Sequence, residues 1–510
     1  MTENEKRYGK WQIAIRAQAD ALESGGGGFV VYPAPEGYFF ADPFPVRDGS
    51  GWVVFFEHYD YAKGRLAYFR VDENLACSGF EFLDIPISCH ASYPYVFEDG
   101  GKRYMVPELC HANEINLYEC VSWPKKWALV KTIVPGCHNG DNSIVRHGDR
   151  YYLFTTIYQN GENKFCIFHS GSLLGEWRPH GRVNASSPAN NADVTRGAGL
   201  IFSSGGRLVR PAQYSMNGSN GEAVVLYGIE TLSPSEYSEK PISIFGRGQA
   251  PPCRNCHTYS HAGGLLAVDF CGERETDRPA KPIGEASLVE VRQRNFYPDH
   301  DLLSRAFSTN TSGNGLCYYG ATLGGVLYEG ERDFDARWDL VKSCGGFGGA
   351  RVLDIGCNMG IMLCYLKAFM GISHGVGIDQ PDDMLASTNK SGTMRAALLL
   401  RRAFGLGDGD VSFIQEDINS PGYWDRAPVG FDLVIATSVY KWVEDKEGFM
   451  RYLSGAGMVL YEGHEPDEVE VGRFAAVGFS AKVLGRTRTG VHYAPSDTRT
   501  LILFHKNTAP

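Results

Sequence analysis

The first 290 or so residues repeat one pattern of apolar and polar positions: an apolar run, a glycine turn, and a second apolar or aromatic run. The segment SYPYVFEDGGKRYMVPE, residues 92–108, shows this pattern. Five turn glycines follow at intervals of roughly 50 to 60 residues, about the length of one four-stranded propeller blade. They are Gly49, Gly100, Gly148, Gly205 and Gly263. Residues 1–294 are therefore predicted to form an all-β five-bladed propeller.

Positions at fixed distances from the turn glycines predict a polar ring. Antiparallel pairing brings the residue seven before each glycine close to the residue eight after it. The first set is Asp42, Tyr93, Asp141, Ala198 and Cys256, and the second is Glu57, Glu108, Thr156, Gln213 and Cys271. If the first strand of each hairpin lines the central channel, these positions ring one mouth of it, with Arg196, Arg210 and His257 beside them. A ligand site is the favoured interpretation; the alternative is that single side chains only satisfy buried hydrogen bonds.

After residue 294 the pattern changes. Residues 295–330 are rich in Gly, Ser, Thr, Asn and Tyr without the blade periodicity, and are predicted to be a linker and lead-in. Residues 331–510 alternate strand and helix patterns. The predicted strands include RVLDIG, HGVGID, VSFIQED, FDLVIATS and GMVLYEGH, with helices near 360–371, 392–405, 445–454 and 467–477. This alternation predicts an α/β doubly wound, Rossmann-like domain whose ligand binds at the carboxyl ends of the strands.

The turn after the first of these strands is the most informative motif. Asp354, Gly356 and Gly360 in LDIGCNMG form D-x-G-x-x-x-G, in which the glycines let the backbone approach a ligand. This motif resembles motif I of class I S-adenosylmethionine-dependent methyltransferases, and the resemblance covers about residues 325–508. It implies S-adenosylmethionine as cofactor, with Asp379 accepting hydrogen bonds from the ribose hydroxyls and Asp417 at the adenine amino group. The predicted cofactor-binding residues are Asp354, Gly356, Asn358, Gly360, Asp379, Asp417 and Thr437.

Methyl transfer to oxygen or nitrogen needs a positioned nucleophile and often a base. The candidates after the fourth and fifth strands are Tyr440, Lys441, Glu462, His464 and Glu465. His464 is the preferred base because imidazole titrates near neutral pH, and the alternative is a histidine that caps a strand end. Motif I is preceded by Tyr319, Tyr328 and Arg332. These side chains either close over the cofactor or only pack against other residues.

A second resemblance covers roughly residues 8–290. FADPF, SYPYVFEDGGKRYMVPE, RPAQ and the HT at His257 resemble the N-terminal domain of plant glucosamine inositolphosphorylceramide transferases and its bacterial relatives. That domain is similar to the propellers of glycoside hydrolase family 43, whose channel carries a base aspartate, a second aspartate and an acid glutamate. The resemblance implies Asp42 as the base, with Asp141 and Glu108 as counterparts of the other two, although Tyr93 stands where a further acid would be expected. The predicted substrate-binding residues are Glu57, Tyr93, Arg196, Arg210, Gln213 and His257.

Composition excludes several classes of protein. The chain has 510 residues, a net charge of -10 and no long basic run, which argues against nucleic acid as a partner. No apolar span is long enough for a transmembrane segment, and the first twenty residues lack a signal-peptide core. A cytoplasmic location is therefore expected, with the 13 cysteines mostly reduced.

The segment CRNCHTYSH contains Cys253, Cys256, His257 and His261, a spacing found at haem-attachment sites and in half of some zinc sites. Haem attachment belongs to exported proteins, and no second ligand pair of matching spacing follows. Reduced cysteines beside a blade strand are the favoured interpretation. No metal is predicted.

Together these patterns predict a methyltransferase that modifies a glycan or glycoconjugate, through O-methylation of a surface-polysaccharide sugar, with a propeller that binds or transfers the sugar. One alternative is a bifunctional glycosyltransferase or glycosidase-like enzyme with catalysis in the propeller. Another is a propeller that is a non-catalytic carbohydrate-binding module. The expected partners are a glycan, nucleotide-sugar or glycolipid substrate, and peripheral association with a membrane glycan-assembly complex is compatible with this interpretation.

Overall fold

The computed structural model describes these residues: 9–22, 28–109, 112–159, 162–181, 183, 196–214, 221–246, 249, 255–271, 285–294, 296, 298–309, 317–381, 392–488 and 497–507. The chain forms two compact units, residues 1–288 and 289–510. Among the described residues, none of the helices combines the length and the apolarity that a bilayer-spanning segment needs.

The first unit contains five four-stranded antiparallel sheets, or blades. The first two strands of the chain, β1 (Trp11–Ala17) and β2 (Val30–Tyr32), belong to blade 5. Blade 1 consists of β3 (Phe39–Asp48), β4 (Gly51–Tyr59), β5 (Gly64–Val71) and β6 (Glu81–Phe82). Blade 2 consists of β7 (Ser92–Asp99), β8 (Lys102–Glu108), β9 (Glu114–Ser122) and β10 (Lys126–Pro135). Blade 3 consists of β11 (Asn139–His147), β12 (Arg150–Gln159), β13 (Glu162–Ser170) and β14 (Arg178–Pro179). Blade 4 consists of β15 (Phe202–Ser204), β16 (Arg207–Tyr214), β17 (Ala223–Leu232) and β18 (Tyr237–Gly246). Blade 5 adds β19 (Tyr259–Ala262) and β20 (Leu265–Cys271) to β1 and β2.

The blades close into a ring because the first strand completes the last sheet. Strand β1 pairs antiparallel with β20, from Trp11 opposite Cys271 to Ala17 opposite Leu265. Residues of the inner strands of blades 1, 2, 3 and 5, together with Leu200 and Ile201 directly before β15 of blade 4, also line one cavity of about 360 Å³. The inner strand of each hairpin therefore faces a common channel, and the predicted five-bladed propeller is confirmed.

The five predicted turn glycines lie in the turns that join the two strands of each inner hairpin. Their φ angles lie between 56° and 61°, in the left-handed region that glycine adopts without steric cost. The repeat spacing therefore placed every inner hairpin correctly.

The second unit has a seven-stranded sheet flanked by helices. Its strands are β24 (Arg351–Ile355), β25 (His374–Asp379), β26 (Val411–Gln415), β27 (Leu433–Thr437), β28 (Met458–Glu462), β29 (Phe479–Arg488) and β30 (Thr498–Lys506). Their order across the sheet is β26-β25-β24-β27-β28-β30-β29. The first five are parallel to one another, and β30 is antiparallel to both β28 and β29. A small sheet precedes it, built from β21 (Cys317–Leu323), β22 (Val326–Tyr328) and β23 (Gly330–Asp333).

The α-helices alternate with these strands as the pattern predicts. They are α1 (Glu285–Arg294), α2 (His300–Thr309), α3 (Phe334–Lys342), α4 (Ile361–Tyr365), α5 (Thr393–Ala403), α6 (Tyr423–Arg426), α7 (Lys446–Leu453) and α8 (Asp467–Ala475). A π-helical turn, Leu366–Met370, continues α4, and a 3-10 turn, Tyr440–Trp442, follows β27. The predicted doubly wound fold is confirmed.

The segment 295–330, predicted from composition as a linker and lead-in, contributes to the core of the second unit. Leu303 and Phe307 of α2 and Cys317 of β21 are buried in one apolar cluster with Val352 of β24. The compact unit begins at Val289, ahead of the glycine-rich stretch. The composition of this segment predicts its turns, but it does not predict the amphipathic helix α2.

Candidate functional site

Three inner strands of the propeller are bulged at the positions that the repeat count singled out. Asp42, Tyr93 and Asp141 have φ angles of 51°, 48° and 54°, which side chains other than glycine rarely adopt. At each position the pairing with the second strand skips, so that two residues face one. Such a conformation costs about 1–3 kcal/mol and persists only where neighbouring groups fix it, which is common at functional sites.

Four carboxylic acids lie together at this level of the ring, each with little access to solvent. Asp42, Glu57, Glu108 and Asp141 are 8%, 6%, 8% and 3% exposed. Burial, and then the charge of Asp141, raises the pKa of Glu108 to about 8. Burial raises the pKa of Asp42 to about 6 against the attraction of His257, and burial raises the pKa of Glu57 well above its usual value. The ring therefore holds carboxyl groups that differ in protonation near neutral pH.

A chain of contacts fixes the acids of blades 2 and 3. Arg196 donates to Asp141 through Nε, at 2.7 Å from Oδ2, and through Nη2, at 3.1 Å from Oδ1. The backbone N–H of Asp141 donates in turn to Glu108 Oε2 at 3.0 Å. The bidentate guanidinium and the backbone donor therefore set the orientation of two predicted catalytic acids.

A residue that the repeat count missed, Asp269 of β20, organises the other side of the ring. Its fully buried carboxylate accepts the backbone N–H groups of Asp42, His257 and Thr258, at 3.0, 3.0 and 2.9 Å. His257 Nδ1 lies 2.6 Å from Asp269 Oδ2, and the indole of Trp11 stacks on the imidazole at 4.1 Å between centroids. Burial lowers the pKa of His257, but the combined attraction of Asp269 and Asp42 outweighs it, so the pKa is raised. No sequence signal indicated Asp269. It lies two positions before Cys271, and Cys271 is the one position on this strand that the count from the turn glycine reaches.

Asp42 is held by partners from blades 2 and 5. Besides the contact with Asp269, its Oδ2 accepts the backbone N–H of Tyr93 at 3.1 Å, and its Oδ1 accepts the Thr258 hydroxyl at 3.1 Å. Glu57 pairs in register with Ala41, directly before Asp42. Blade 1 therefore brings Asp42 and Glu57 together, as the hairpin geometry predicts.

Two predicted substrate-binding residues have buried side chains with partners inside the propeller. Arg210 is buried within blade 4, where Nε and Nη2 donate to Glu239 at 2.9 and 2.6 Å and the guanidinium covers the Phe165 ring. The Tyr93 phenol is fully buried and accepts the Gly199 N–H at 2.7 Å, so it joins blades 2 and 4 across the ring. Both side chains have structural partners, and Arg210 Nη1 has no hydrogen-bond partner among the described residues, so the ligand-binding role of the two residues stays a prediction.

The remaining predicted substrate-binding residue, Gln213, is buried and donates to the Gly197 carbonyl at 3.1 Å. Its Oε1 has no hydrogen-bond partner among the described residues. A buried amide oxygen in this state is available to a ligand donor.

Among the described residues, Asp42, His257 and Asp269 form a group that could hold a metal ion, since one ligand atom from each lies within 4.8 Å of the others. Asp269 already accepts three backbone N–H groups, so its oxygens are occupied by protein donors. In the CRNCHTYSH segment, Cys253 lies outside the described residues, Cys256 is buried, and His261 Nε2 lies 2.8 Å from the Gln18 carbonyl. The prediction of no metal stays a prediction.

The second unit has a cavity of about 570 Å³ at the carboxyl ends of its parallel strands. Four of the predicted cofactor residues line it: Gly356, Asn358, Asp379 and Thr437. The other wall residues include Tyr318, Tyr319, Ile378, Ile418, Val439 and Trp442. The lining does not include Asp354, Gly360 or Asp417, and Asp417 Oδ1 accepts the N–H of Asn419 at 3.0 Å.

The motif loop is shaped by its glycines and tied to Asp379. A Cβ on Gly356, whose φ is +73°, would lie 2.5 Å from Val439 Cγ2, so the close approach requires glycine. The N–H groups of Asn358 and Gln380 donate to Asp379 Oδ2 and Oδ1 at 2.6 and 2.8 Å. Behind the loop, burial and then the charge of Asp379 raise the pKa of Asp354 to about 8.

The lining of this cavity fits a nucleoside. Asp379 offers carboxylate oxygens to hydroxyl groups, and apolar side chains form the surrounding walls. Thr393, at the start of α5, also lines the cavity, and its buried Oγ1 has no hydrogen-bond partner among the described residues. A buried hydroxyl of this kind can take its hydrogen bond from a ligand or from water.

Glu462, one of the predicted bases, is the centre of a buried ion cluster. Its Oε1 accepts from Arg332 at 2.9 Å and from the Ser438 hydroxyl at 2.6 Å, and its Oε2 accepts from Arg337. Burial alone would raise the pKa of Glu462, but Arg337 and Arg332 lower it to about 2. A carboxylate paired in this way cannot take up a proton at neutral pH, which corrects the catalytic role predicted for it.

The cluster also holds one wall of the cavity. Arg332 Nη1 donates to the Tyr318 hydroxyl at 2.9 Å, and Arg337 donates to the Tyr319 hydroxyl. Both tyrosines line the cavity, and closure of Tyr319 over a cofactor stays a prediction. Tyr328 is different: it stacks on Phe307 within the core.

The other predicted bases lie after β27 and β28. His464 is exposed, and partial burial and then the charges of Arg499 and Lys441 lower its pKa to about 4. Tyr440 lies under the guanidinium of Arg473, 4.1 Å from the ring centroid, and Glu465 pairs with the same arginine. His464 is therefore neutral at pH 7 and can accept a hydrogen bond.

Comparison with known proteins separates the same two parts of the chain. Residues 31–256 match the family model described as glucosamine inositolphosphorylceramide transferase 1, N-terminal, and residues 353–455 match the methyltransferase domain model. Glucosamine inositolphosphorylceramide transferase 1 of Oryza sativa subsp. japonica is 32% identical over 281 residues, which cover 51% of this chain and 35% of the rice protein. The Arabidopsis thaliana protein of the same name is 31% identical over 211 residues, 39% of this chain and 27% of that protein. The matches thus span about a third of the length of these relatives or less.

Two solved structures are similar to parts of this chain at low identity. A GH43 β-1,3-galactosidase covers 42% of this chain and 82% of its own at 13% identity, with a TM-score of 0.32. Precorrin-6y C5,15-methyltransferase from Geobacter metallireducens covers 34% of this chain and 88% of its own at 14% identity, with a TM-score of 0.26. The chain thus joins an N-terminal region of the glucosamine inositolphosphorylceramide transferase type to a C-terminal methyltransferase domain.

Proposed function

We propose that this chain is an S-adenosylmethionine-dependent methyltransferase that O-methylates a sugar of a glycan or glycoconjugate, and that its propeller binds that sugar. The observation that carries the proposal is the Asp379 carboxylate, fixed by two backbone N–H groups at the edge of a 570 Å³ cavity inside the matched methyltransferase domain. The acidic ring of the propeller supports the sugar-binding part. We place the reaction in the cytoplasm, on a glycan, nucleotide-sugar or glycolipid acceptor.

The bound cofactor would supply an electrophilic methyl group, and the residues of the chain hold and orient it. Asp379 accepts hydrogen bonds from the ribose hydroxyls, and Thr393 offers its unpartnered hydroxyl. Ile378, Ile418 and Trp442 supply apolar walls for the base. Such positioning lowers the barrier to methyl transfer by holding the reacting atoms in line.

Calorimetric titration of the full chain with S-adenosylmethionine tests this assignment. Asp379→Ala should weaken binding by about 10- to 100-fold, since hydrogen bonds to a charged group contribute about 1.5–3 kcal/mol. Asp425→Ala is the matched control, because Asp425 is an exposed acid of the same unit that pairs only with the exposed Arg451 in the described contacts. A folded Asp379→Ala protein with the affinity of the control variant would refute the cofactor assignment.

A second candidate function is glycosyl transfer or hydrolysis in the propeller. It is favoured by Asp42 and Glu108, whose pKa values are raised to about 6 and about 8, so one carboxylate and one protonated acid coexist near pH 7. Glycan analysis of cells with and without the gene separates the candidates. A missing O-methyl group indicates methyl transfer, and a missing sugar indicates chemistry in the propeller.

A further inference from the structure

A second cavity of about 510 Å³ lies in the methyltransferase unit, beyond the carboxyl end of β28. Its walls come from the loop 463–466, the first turn of α8, and strands β29 and β30. None of the residues predicted to bind the cofactor lines it.

One hydrogen bond joins the walls of the two cavities. Arg499, which lines the second cavity, donates through Nη1 to the Ser438 hydroxyl at 2.9 Å. Ser438 lines the first cavity, and its φ of 62° places it in the left-handed region that side chains rarely adopt. Its backbone N–H is held by the Glu462 carbonyl at 2.8 Å. Residues with a strained backbone cluster at functional sites, and Ser438 lies between two cavities.

The two cavities differ in chemistry. Aromatic and aliphatic side chains dominate the first, whereas charged and hydroxyl side chains dominate the second, among them Asp467, Glu468, Arg486, Thr498 and Arg499. Carboxylates accept from hydroxyl groups and guanidinium groups donate to them, so this lining suits a ligand rich in hydroxyls. Acids outnumber arginines in the lining, which disfavours an anionic ligand.

We propose that the second cavity is the acceptor site, and that it takes an uncharged, hydroxyl-rich sugar. This inference rests on the proposed methyltransferase function. For each methyl group transferred, a bond forms from the acceptor oxygen to the methyl carbon as the carbon–sulfur bond of the donor breaks with its electron pair on sulfur. The hydroxyl proton leaves to His464, which lines this cavity and is neutral at pH 7, and then to water.

The test measures transfer of radiolabelled methyl groups from S-adenosylmethionine to the whole glycan fraction of a strain that lacks the gene, using the full chain. Thr498→Trp fills the cavity from an exposed position, and Arg486→Gln removes one donor from its wall. Arg451→Gln is the matched control: Arg486 and Arg451 each pair with an aspartate at 2.9 Å, and their side chains are 62% and 65% exposed. The affinity of every variant for S-adenosylmethionine is measured by calorimetry.

We expect transfer by Thr498→Trp to fall at least tenfold and by Arg486→Gln severalfold, with donor affinity within twofold of the parent and Arg451→Gln unchanged. Parent-like transfer by Thr498→Trp would place the acceptor elsewhere and overturn the inference. Loss of donor affinity in Thr498→Trp would overturn it too, because the cavity would then belong to the donor site. If the parent chain binds S-adenosylmethionine but labels no glycan, the proposed function fails together with this inference.

Discussion

Glu462→Gln should destabilise the methyltransferase unit strongly without any direct role in proton transfer. The substitution keeps the size of the side chain but removes the charge that two buried guanidinium groups face. Arg332 and Arg337 are 5% and 3% exposed, so water cannot replace the lost partner. Breaking a buried ion pair from one side typically costs about 3–5 kcal/mol.

The pKa of Glu462 gives a second route to the magnitude. Its fall from 4.5 to about 2 in the folded protein corresponds to roughly 3 kcal/mol, at about 1.36 kcal/mol for each pKa unit. Since the folded pKa is the lower one, this stabilisation is present above about pH 4.5 and is lost as the pH falls towards 2. A unit of this length loses about 2–4 °C in Tm for each kcal/mol, so a shift of about 6–12 °C is expected at pH 7.

Scanning calorimetry at pH 7 and between pH 3 and 5 measures both effects. Glu447→Gln is the control, since Glu447 is exposed in the first turn of α7 and its loss should cost less than about 1 kcal/mol. Adding Arg332→Met to Glu462→Gln should cost less than the two separate changes together, because the second substitution removes a charge already left unpaired. A Tm within 2 °C of the parent, or the same loss of stability below pH 4.5 in parent and variant, would refute the structural role.

Two further predictions concern the propeller. Asp42→Asn should leave the fold and S-adenosylmethionine binding intact but abolish sugar binding or transfer; a thermal melt beside a glycan-binding assay checks this, and an unfolded variant would show Asp42 to be structural instead. Asp269→Asn should lower the pKa of His257, because it removes the largest attraction on the imidazolium, and an NMR titration of the His257 ring measures it. An unchanged His257 pKa would contradict the role assigned to Asp269, whereas a change in Tm alone would leave a purely structural role.

The repeat pattern predicted the propeller well because each blade is a local structure. A glycine turn and its two strands lie within about twenty residues, so spacing along the chain reports pairing directly. The same argument located Asp42, Tyr93 and Asp141, the three bulged positions. Counting gives the level of a residue along the channel, but not the direction of its side chain, and the pairing of Arg210 with Glu239 within blade 4 is an example.

Contacts between distant parts of the chain could not be predicted in the same way. Glu462 meets Arg332 across 130 positions, and Asp269 meets the N–H of Asp42 across 227. Both contacts depend on which strands become neighbours, and in the propeller on the pairing of the first strand with the last. The hydrophobic pattern specifies strands and helices, and the pairing of distant elements then decides which polar groups meet.

The two glutamates show why burial alone does not identify a catalytic acid. Glu108 and Glu462 are 8% and 0% exposed, and in both burial is the largest influence on the pKa, in the same upward direction. The nearest charges then separate them: Asp141 keeps the pKa of Glu108 near 8, whereas Arg337 and Arg332 bring that of Glu462 to about 2. Only Glu108 therefore holds a proton that it can donate at neutral pH. Of the pair, the glutamate in the propeller is the acid, whereas the ion cluster at Glu462 fixes Tyr318 and Tyr319 on the wall of the 570 Å³ cavity.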